Sequence, residues 1–355
     1  MGFNLEKIAY DLAMMRLFRK VFTVCLSLLF TVALSPLASA QADTSLHLTV
    51  ANPVVSILVK PGATFVLPIR VQNAGAFTEK IKVGIVKFSA GSETGSPQLA
   101  DLTSEDVFAN WISFNIKTFE IQPQEWKTIT ATFTVPANAG FSYFPAIVFA
   151  RNDVLNQIPG SQLLLRGAAA SLVLLGIDRP DAVRSLSLAS FTVDKQFYEY
   201  LPVTFSVRVT NTGNTFVLPR GNIFIDHGSV KGIANFTVNN QHGSVLPDST
   251  RAYTDSSWTD GFPTYTTFVA NGSTETKLNW DTSQISKIRF GRFTANLVLV
   301  YNDGTRDVPV EAHVDFWVIP WRLLGGLGAL IILVGFGMYF LIKNIYTGVR
   351  RFRRE

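Results

Sequence analysis

The 355-residue chain contains one cysteine, 4 histidines and only 16% charged residues, against a usual charged fraction of about 25%. Each shortage closes a class of function. The lone Cys25 lies in an apolar N-terminal segment that reads as removable, so the mature chain has no thiol. That excludes disulfides, thiol catalysis and Cys-ligated metal, and an exported protein of this kind must be stable through core packing alone. The preceding Phe22-Thr23-Val24 does not form a lipoprotein-type cleavage box. His47, His227, His242 and His313 show no His-Glu-x-x-His and no i, i+4 pair, which excludes a zincin-type site. A Gly-x-Ser-x-Gly nucleophile elbow is missing too. Gly91-Ser92-Glu93-Thr94-Gly95 has its serine at the wrong position and reads as a flexible loop. Gly326-Leu327-Gly328 belongs to an apolar span and not to a phosphate loop.

Carboxylates are no more suggestive. A glycosidase needs two within roughly 5–10 Å, and Glu105/Asp106 or Asp255/Asp260 read as solvated loop charges. Calcium takes oxygen ligands from loops, but Asp303 with Asp307 and Asp255 with Asp260 lack a dense Asp-x-Asp-x-Asp run and read as turn formers. The expectation is a non-enzyme with no catalytic set, no cofactor and no metal.

The formal charge of +5 is unevenly placed. Residues 1–40 carry +2, residues 41–316 carry −2 and residues 317–355 carry +5. Nucleic-acid binding needs Lys and Arg clustered on the folded body, so DNA and RNA are excluded as partners. Hydrophobic residues make up 47%, with 28 Phe and recurrent Thr and Val. That is too apolar for disorder and strand-rich in flavour.

Both ends look like address labels. Arg16, Arg19 and Lys20 precede the apolar stretch Val21–Leu34, and Ala38-Ser39-Ala40 supplies an A-x-A cleavage site. Residues 1–40 are thus expected to be a signal peptide cut after Ala40. At the other end Leu323–Ile342 is an unbroken apolar run of 20 residues, long enough to cross a bilayer. Trp317 and Trp321 flank it on one side, and Lys343, Arg350, Arg351, Arg353 and Arg354 on the other. By the positive-inside rule the tail is cytoplasmic and everything before Trp317 is outside. No Leu-Pro-x-Thr-Gly sorting signal precedes the span, so it persists as a single-pass anchor in membrane lipid.

Between the labels, Phe65–Val71, Lys80–Val86, Lys127–Val135, Ser142–Ala150, Val203–Thr210 and Arg292–Tyr301 alternate or run apolar between turn residues. Asn302-Asp303-Gly304 predicts a hairpin turn, and Ser104–Asn110 a short helix. Arg70-Val71-Gln72-Asn73-Ala74-Gly75 returns 138 residues later as Arg208-Val209-Thr210-Asn211-Thr212-Gly213. A period of that size means duplicated domains and not a solenoid. The expected architecture is all-β: two tandem Ig-like β-sandwiches, residues 41–176 and 177–316, then a transmembrane helix over 317–343 and a basic tail over 344–355.

One segment suggests recognition. Over Thr250–Asn279, Tyr253, Trp258, Phe262 and Tyr265 alternate with polar residues and Gly261-Phe262-Pro263 makes a turn. Aromatic faces bordered by hydroxyls suit sugar rings or a protein partner. The alternative is a long hairpin that packs its aromatics on its own domain. The loop Ser89–Asp106, which tethers Phe108 and Trp111, is a second candidate.

These pieces together resemble the bacterial WxL-interacting-type surface proteins. In the first half the matches are Lys60-Pro61-Gly62, Arg70–Asn73, Asn110-Trp111-Ile112, Ile121-Gln122-Pro123 and Thr134–Gly140. In the second they are Asn211-Thr212-Gly213-Asn214, Leu246-Pro247 with Arg251, and Phe316–Trp321 entering the span. The resemblance implies a non-catalytic cell-surface binding or scaffold protein that attaches to cell-wall glycan or surface-protein partners. An accessory subunit of a membrane-embedded envelope complex is the alternative, with the glycine-rich span as contact element.

Overall fold

The computed structural model describes residues 46–151, 167–270 and 273–352. Ala38 and Ala40, the expected cleavage site, lie outside them, as do Cys25, Arg353 and Arg354. The described chain is mostly strands in several sheets, closed by one apolar helix. The first half forms β1 (Leu48–Val50), β2 (Val54–Val59), β3 (Thr64–Asn73), β4 (Glu79–Ala90), β5 (Pro97–Ala100), β6 (Ile112–Phe114), β7 (Thr118–Ile121), β8 (Trp126–Thr134), β9 (Ser142–Tyr143), β10 (Pro145–Arg151) and β11 (Ala169–Ile177). The second forms β12 (Leu186–Val193), β13 (Phe197–Tyr198), β14 (Val203–Asn211), β15 (Arg220–His227), β16 (Val230–Val238), β17 (Thr250–Tyr253), β18 (Ser257–Trp258), β19 (Thr264–Ala270), β20 (Ser273–Asn279), β21 (Gly291–Asn302) and β22 (Asp307–Val318). Helix α1 (Trp321–Phe352) follows.

In the first half the sheet β1-β3-β8-β6 faces the sheet β2-β11-β10-β4-β5. Alternate residues of β3, β8, β4, β10 and β11 meet between them, with Val71, Ile81, Ile129, Phe133, Ile147 and Phe149 fully enclosed. In the second half β12-β14-β17 faces β13-β22-β21-β15-β16 over a core that holds Phe205, Ile223, Phe293 and Phe316. Each of the six runs read as strands falls on strands; β3, β8, β14 and β21 alternate in burial, which is how period-two sequences bury one face, while Pro145–Ala150 of β10 is buried throughout. The short helix expected at Ser104–Asn110 is a 3₁₀ turn over Val107–Trp111. The loop expected at Ser89–Asp106 holds β5, which returns antiparallel along β4.

Two strand prolines sit where the geometry allows them. Proline cannot donate to a ladder, so it belongs where a strand has an unpaired side. Pro68 pairs with β8 opposite Thr130, while β1 covers β3 only over Val71–Asn73. Pro309 pairs with β21 opposite Val300, and β13 covers β22 only at Trp317 and Val318.

The sequence repeat is a structural repeat. Asn73 is buried and its side-chain amide donates to the carbonyls of Phe77 (2.7 Å) and Ile121 (3.2 Å), while its oxygen accepts from Gly75 N (3.0 Å). Asn211 does the same with Thr215 (2.8 Å), Val245 (2.9 Å) and Gly213 N (2.9 Å). A neutral amide suits this spot because it donates and accepts at once. The glycine is required in the second copy, where a Cβ on Gly213 would lie 2.2 Å from the Val183 carbonyl oxygen. Removing either amide strands buried carbonyls, so Asn73→Ala and Asn211→Ala should each lower unfolding stability by roughly 1–3 kcal/mol. Denaturant melts of the full chain would show it, and unchanged midpoints would contradict it.

The Asn302-Asp303-Gly304 turn joins β21 to β22, with Gly304 at φ +106. Asp303 accepts from Arg306 N (2.9 Å), Thr305 N (2.8 Å) and the Thr305 hydroxyl (2.8 Å). Those bonds, the Arg306 N–H foremost, hold its carboxyl down at about 2. A depressed carboxyl stabilises above its unfolded value of about 3.9 and ceases to do so as pH falls through the folded value. A carboxyl NMR titration of Asp303 should show its midpoint near 2; an ordinary midpoint would mean the turn is not built this way.

Candidate binding cleft

Of the aromatic residues singled out from sequence, Tyr253, Trp258 and Phe262 are buried. Trp258 is 0% exposed. Its ring lies edge-on to Phe293 (5.1 Å) and Phe316 (6.1 Å), and the Arg289 guanidinium sits 5.3 Å from its centre. Tyr253 is buried, with its hydroxyl donating to the Gly243 carbonyl (2.8 Å), and burial pushes that phenol well above its ordinary range. Phe262 is buried and meets Trp280 edge-on at 5.9 Å. Tyr265 is half-buried, 3.4 Å from a Glu199 oxygen and in ring contact with Tyr200. These rings do not form an exposed recognition surface. The physical reason is that β17 and β18 pair with β14, which turns Tyr253 and Trp258 toward the sheet opposite. Among the described residues, only the hairpin β19–β20 stands apart from the core sheets.

The paired aspartates are engaged as turn and loop partners. Asp260 binds Lys287 (2.6 Å) and Arg289 (2.9 Å), and the Lys287 ammonium holds its carboxyl below the usual range. Asp255 accepts from Asn240 N (3.1 Å), and Asp307 from Asn302 and Arg220. Among the described residues no three His, Cys, Asp or Glu side chains cluster to hold a metal.

A different site comes from packing. β10 is buried on both faces along Pro145–Ala150. Ile147 and Phe149 enter the first core, while Ala146, Val148 and Ala150 join Val86, Phe88, Leu99 and Leu174 in a second layer. Phe216 and Leu246, from the second half of the chain, pack on that layer. Close polar contacts flank the junction: Ser142 Oγ to Thr215 Oγ1 (2.8 Å), Ala252 N to the Glu93 carbonyl (2.7 Å), and a bidentate Arg208–Glu93 pair. The segment 91–95 read as a flexible loop is therefore a clamp on β14 and β17.

This junction leaves a cleft of about 640 Å³, within the range of small-ligand and peptide sites. Its walls include Val54, Phe88, Leu172, Leu174, Leu218 and Leu246, with Arg251 as the one formally charged residue among the lining. The Arg251 guanidinium fits between two glycines. A Cβ on Gly95 would lie 2.2 Å from its Cζ, and one on Gly243 2.2 Å from Nη2. Its Nη1 donates to the Ser244 carbonyl (3.0 Å), and its Nε is buried without a hydrogen-bond partner. At one side runs β2, which pairs with β11 and, among the described residues, with no strand beyond; its Val54 and Leu58 are more than half exposed. Sequence reasoning missed this cleft because its residues are scattered over positions 53–251. The glycines around Arg251 were the available signal.

At the far end the expected span boundary moves. Trp317 belongs to β22, and α1 starts at Trp321, with Trp321–Asn344 long and apolar enough to cross a membrane. Lys343 lies at the end of that stretch, and Arg350 and Arg351 on the helix beyond it.

No protein-family model matches the chain, and no curated protein does. Among solved structures, the class 5 fimbriae chaperone CfaA is 12% identical, covering 66% of this chain and 99% of that one at a TM-score of 0.32. The CupB2 chaperone of Pseudomonas aeruginosa is 11% identical, covering 76% and 100% at 0.32. The CsuC–CsuE chaperone–tip adhesion subunit complex of Acinetobacter baumannii is 10% identical, covering 74% and 97% at 0.34. These scores fall below the level at which two structures share a fold.

Trp258→Ala should cost roughly 3–5 kcal/mol, as expected for emptying a closed aromatic site. A thermal melt of the full chain reads it, and an unchanged midpoint would return Trp258 to the surface.

Proposed function

We propose that the chain is a non-catalytic, single-pass cell-surface protein in which two tandem Ig-like β-sandwiches stand outside the membrane and hold a protein partner. The observation that carries this reading is the largely apolar cleft at the junction, bordered by β2, whose outer edge pairs with no strand among the described residues, and lined by one half-buried cation, Arg251. An extended segment can add to a free strand edge through main-chain bonds while alternate side chains fill pockets. Aliphatic walls suit apolar side chains, whereas sugar rings favour aromatic faces; Phe88 is the one Phe, Tyr or Trp among the lining residues, which also include the His242 imidazole. Of the two partner classes implied by the family resemblance, a surface protein therefore fits better than cell-wall glycan. Trp321 at one end of the span and Lys343 with the basic tail at the other support a topology with the folded body outside and the tail in the cytoplasm.

A photo-crosslinking residue at Leu246, in intact cells, should capture a protein, and one at exposed Val66 should not. Leu246→Trp, which fills the cleft, should reduce recovery of that protein while the chain stays folded. Equal capture at both positions, or capture of glycan alone, would count against the reading.

A second reading, an accessory subunit of a membrane complex, draws on α1 itself. Cβ positions at Gly325, Gly326 and Gly328 meet nothing within 4 Å, a surface on which another helix can approach closely. Swapping Leu323–Ile342 for an unrelated span should then abolish co-purification of partners; unchanged recovery would remove this reading.

A further inference from the structure

The end of the body where the chain enters α1 is unusually apolar on its outside. Phe197 and Ile285 are 59% exposed, Phe290 is 54%, and Trp280, Ile288 and Trp317 are also open to solvent. They come from three separate stretches of sequence, around 197, 280–290 and 317, that the fold gathers together. Phe197 pairs with Trp317 across β13 and β22. Gly291 pairs with Val318, which puts Phe290 level with the exit of the chain toward the helix. Ile288 bridges to Phe262, whose ring meets Trp280, and Ile285 lies in the 3₁₀ turn Thr282–Lys287 between them. A soluble surface seldom concentrates aromatic and branched side chains in this way.

The connection to the helix is short and tied down. Only Ile319 and Pro320 separate β22 from α1. Ile319 N donates to the Tyr198 carbonyl (2.7 Å), and Leu324 N to that of Pro320 (2.9 Å). Arg322 reaches Glu199 at 3.5 Å. Three residue steps span at most about 10 Å. The stretch Trp321–Asn344 has 24 residues, about 36 Å at helical rise, against a hydrocarbon core of ~30 Å. If α1 crosses the bilayer, Trp321 stands at its polar edge and this end of the body lies within a headgroup layer of it.

We infer that this apolar end, built from Phe197, Ile285, Ile288, Phe290, Trp280 and Trp317, docks into the lipid headgroup region of the membrane that α1 crosses, so that the body rests on the bilayer. The inference depends on the membrane-anchored reading above. Trp favours the headgroup level, where its apolar ring and its polar N–H are both satisfied, and Phe, Leu or Ile side chains beside it bury into the boundary between headgroups and acyl chains. Arg322, Lys287 and Arg289 stand among these residues, and the carboxylates facing them, Glu199 and Asp260, are each already shared with a cation.

The test uses the full chain in a Cys25→Ser background, reconstituted into phosphatidylcholine vesicles with and without phosphatidylglycerol. A polarity-sensitive fluorophore is attached through Ile285→Cys, Phe290→Cys, Leu333→Cys in the middle of α1, or Phe77→Cys on the exposed first half. With docking, a headgroup-level spin label quenches the 285 and 290 probes several-fold more than the Phe77 probe, and a deep label quenches only Leu333. Quenching at Leu333 with 285 and 290 no different from Phe77 would overturn the docking while leaving the anchor intact. Loss of quenching at all positions would overturn both. Probes at 285 and 290 that respond to protein density and not to quencher lipid would make the surface a contact between copies, and would overturn the inference as well.

Discussion

A strand buried on both faces cannot exist alone, and β10 imposes that condition on the whole molecule. Pro145–Ala150 has no side left for water. One face is satisfied by the sheet opposite, in the ordinary way of packed sheets. The other needs a cover from elsewhere, and Phe216 and Leu246 supply part of it. The body is therefore held as one compact unit from Leu46 onward, with the Glu93 clamp and the Ser142–Thr215 contact at its seam. The cleft is the space that this imperfect cover leaves open.

The repeat around Asn73 and Asn211 shows how much of a duplication survives in chemistry when little survives in letters. In both copies the asparagine closes a short loop and tethers it to a distant carbonyl. The strand before it has the same neighbours, with Leu48 opposite Asn73 and Leu186 opposite Asn211. Around that shared kernel the halves diverge. The first half adds the clamp between β4 and β5; the second adds β13 and the separate hairpin β19–β20.

The strands were legible because alternation reports a half-buried face directly, and the apolar stretch of α1 because its length admits few other readings. The Asn-x-Gly repeat was legible because both residues are chosen by backbone geometry. Three features were not. Alternating aromatics and polar residues over 250–265 announce an orientation without saying which side is inward, so Trp258 and Tyr253 looked available when they are core. Trp317 looked like a helix flank because β22 passes into α1 with almost no linker. The continuous run Pro145–Ala150 identified a strand but could not say that both its faces are covered, and the cleft depends on that second face.

The hairpin β21–β22 ends beside the start of α1 at one extremity, and the cleft residues sit toward the other. Along β14, Val203 faces Trp258 near the helix end and Thr210 faces Thr250 beside the cleft, a separation of about 23 Å at strand rise. Only Ile319 and Pro320 separate β22 from α1. On the membrane-anchored reading proposed above, that short connection would hold the cleft within about one strand length of the bilayer, and a partner would have to reach it at that height.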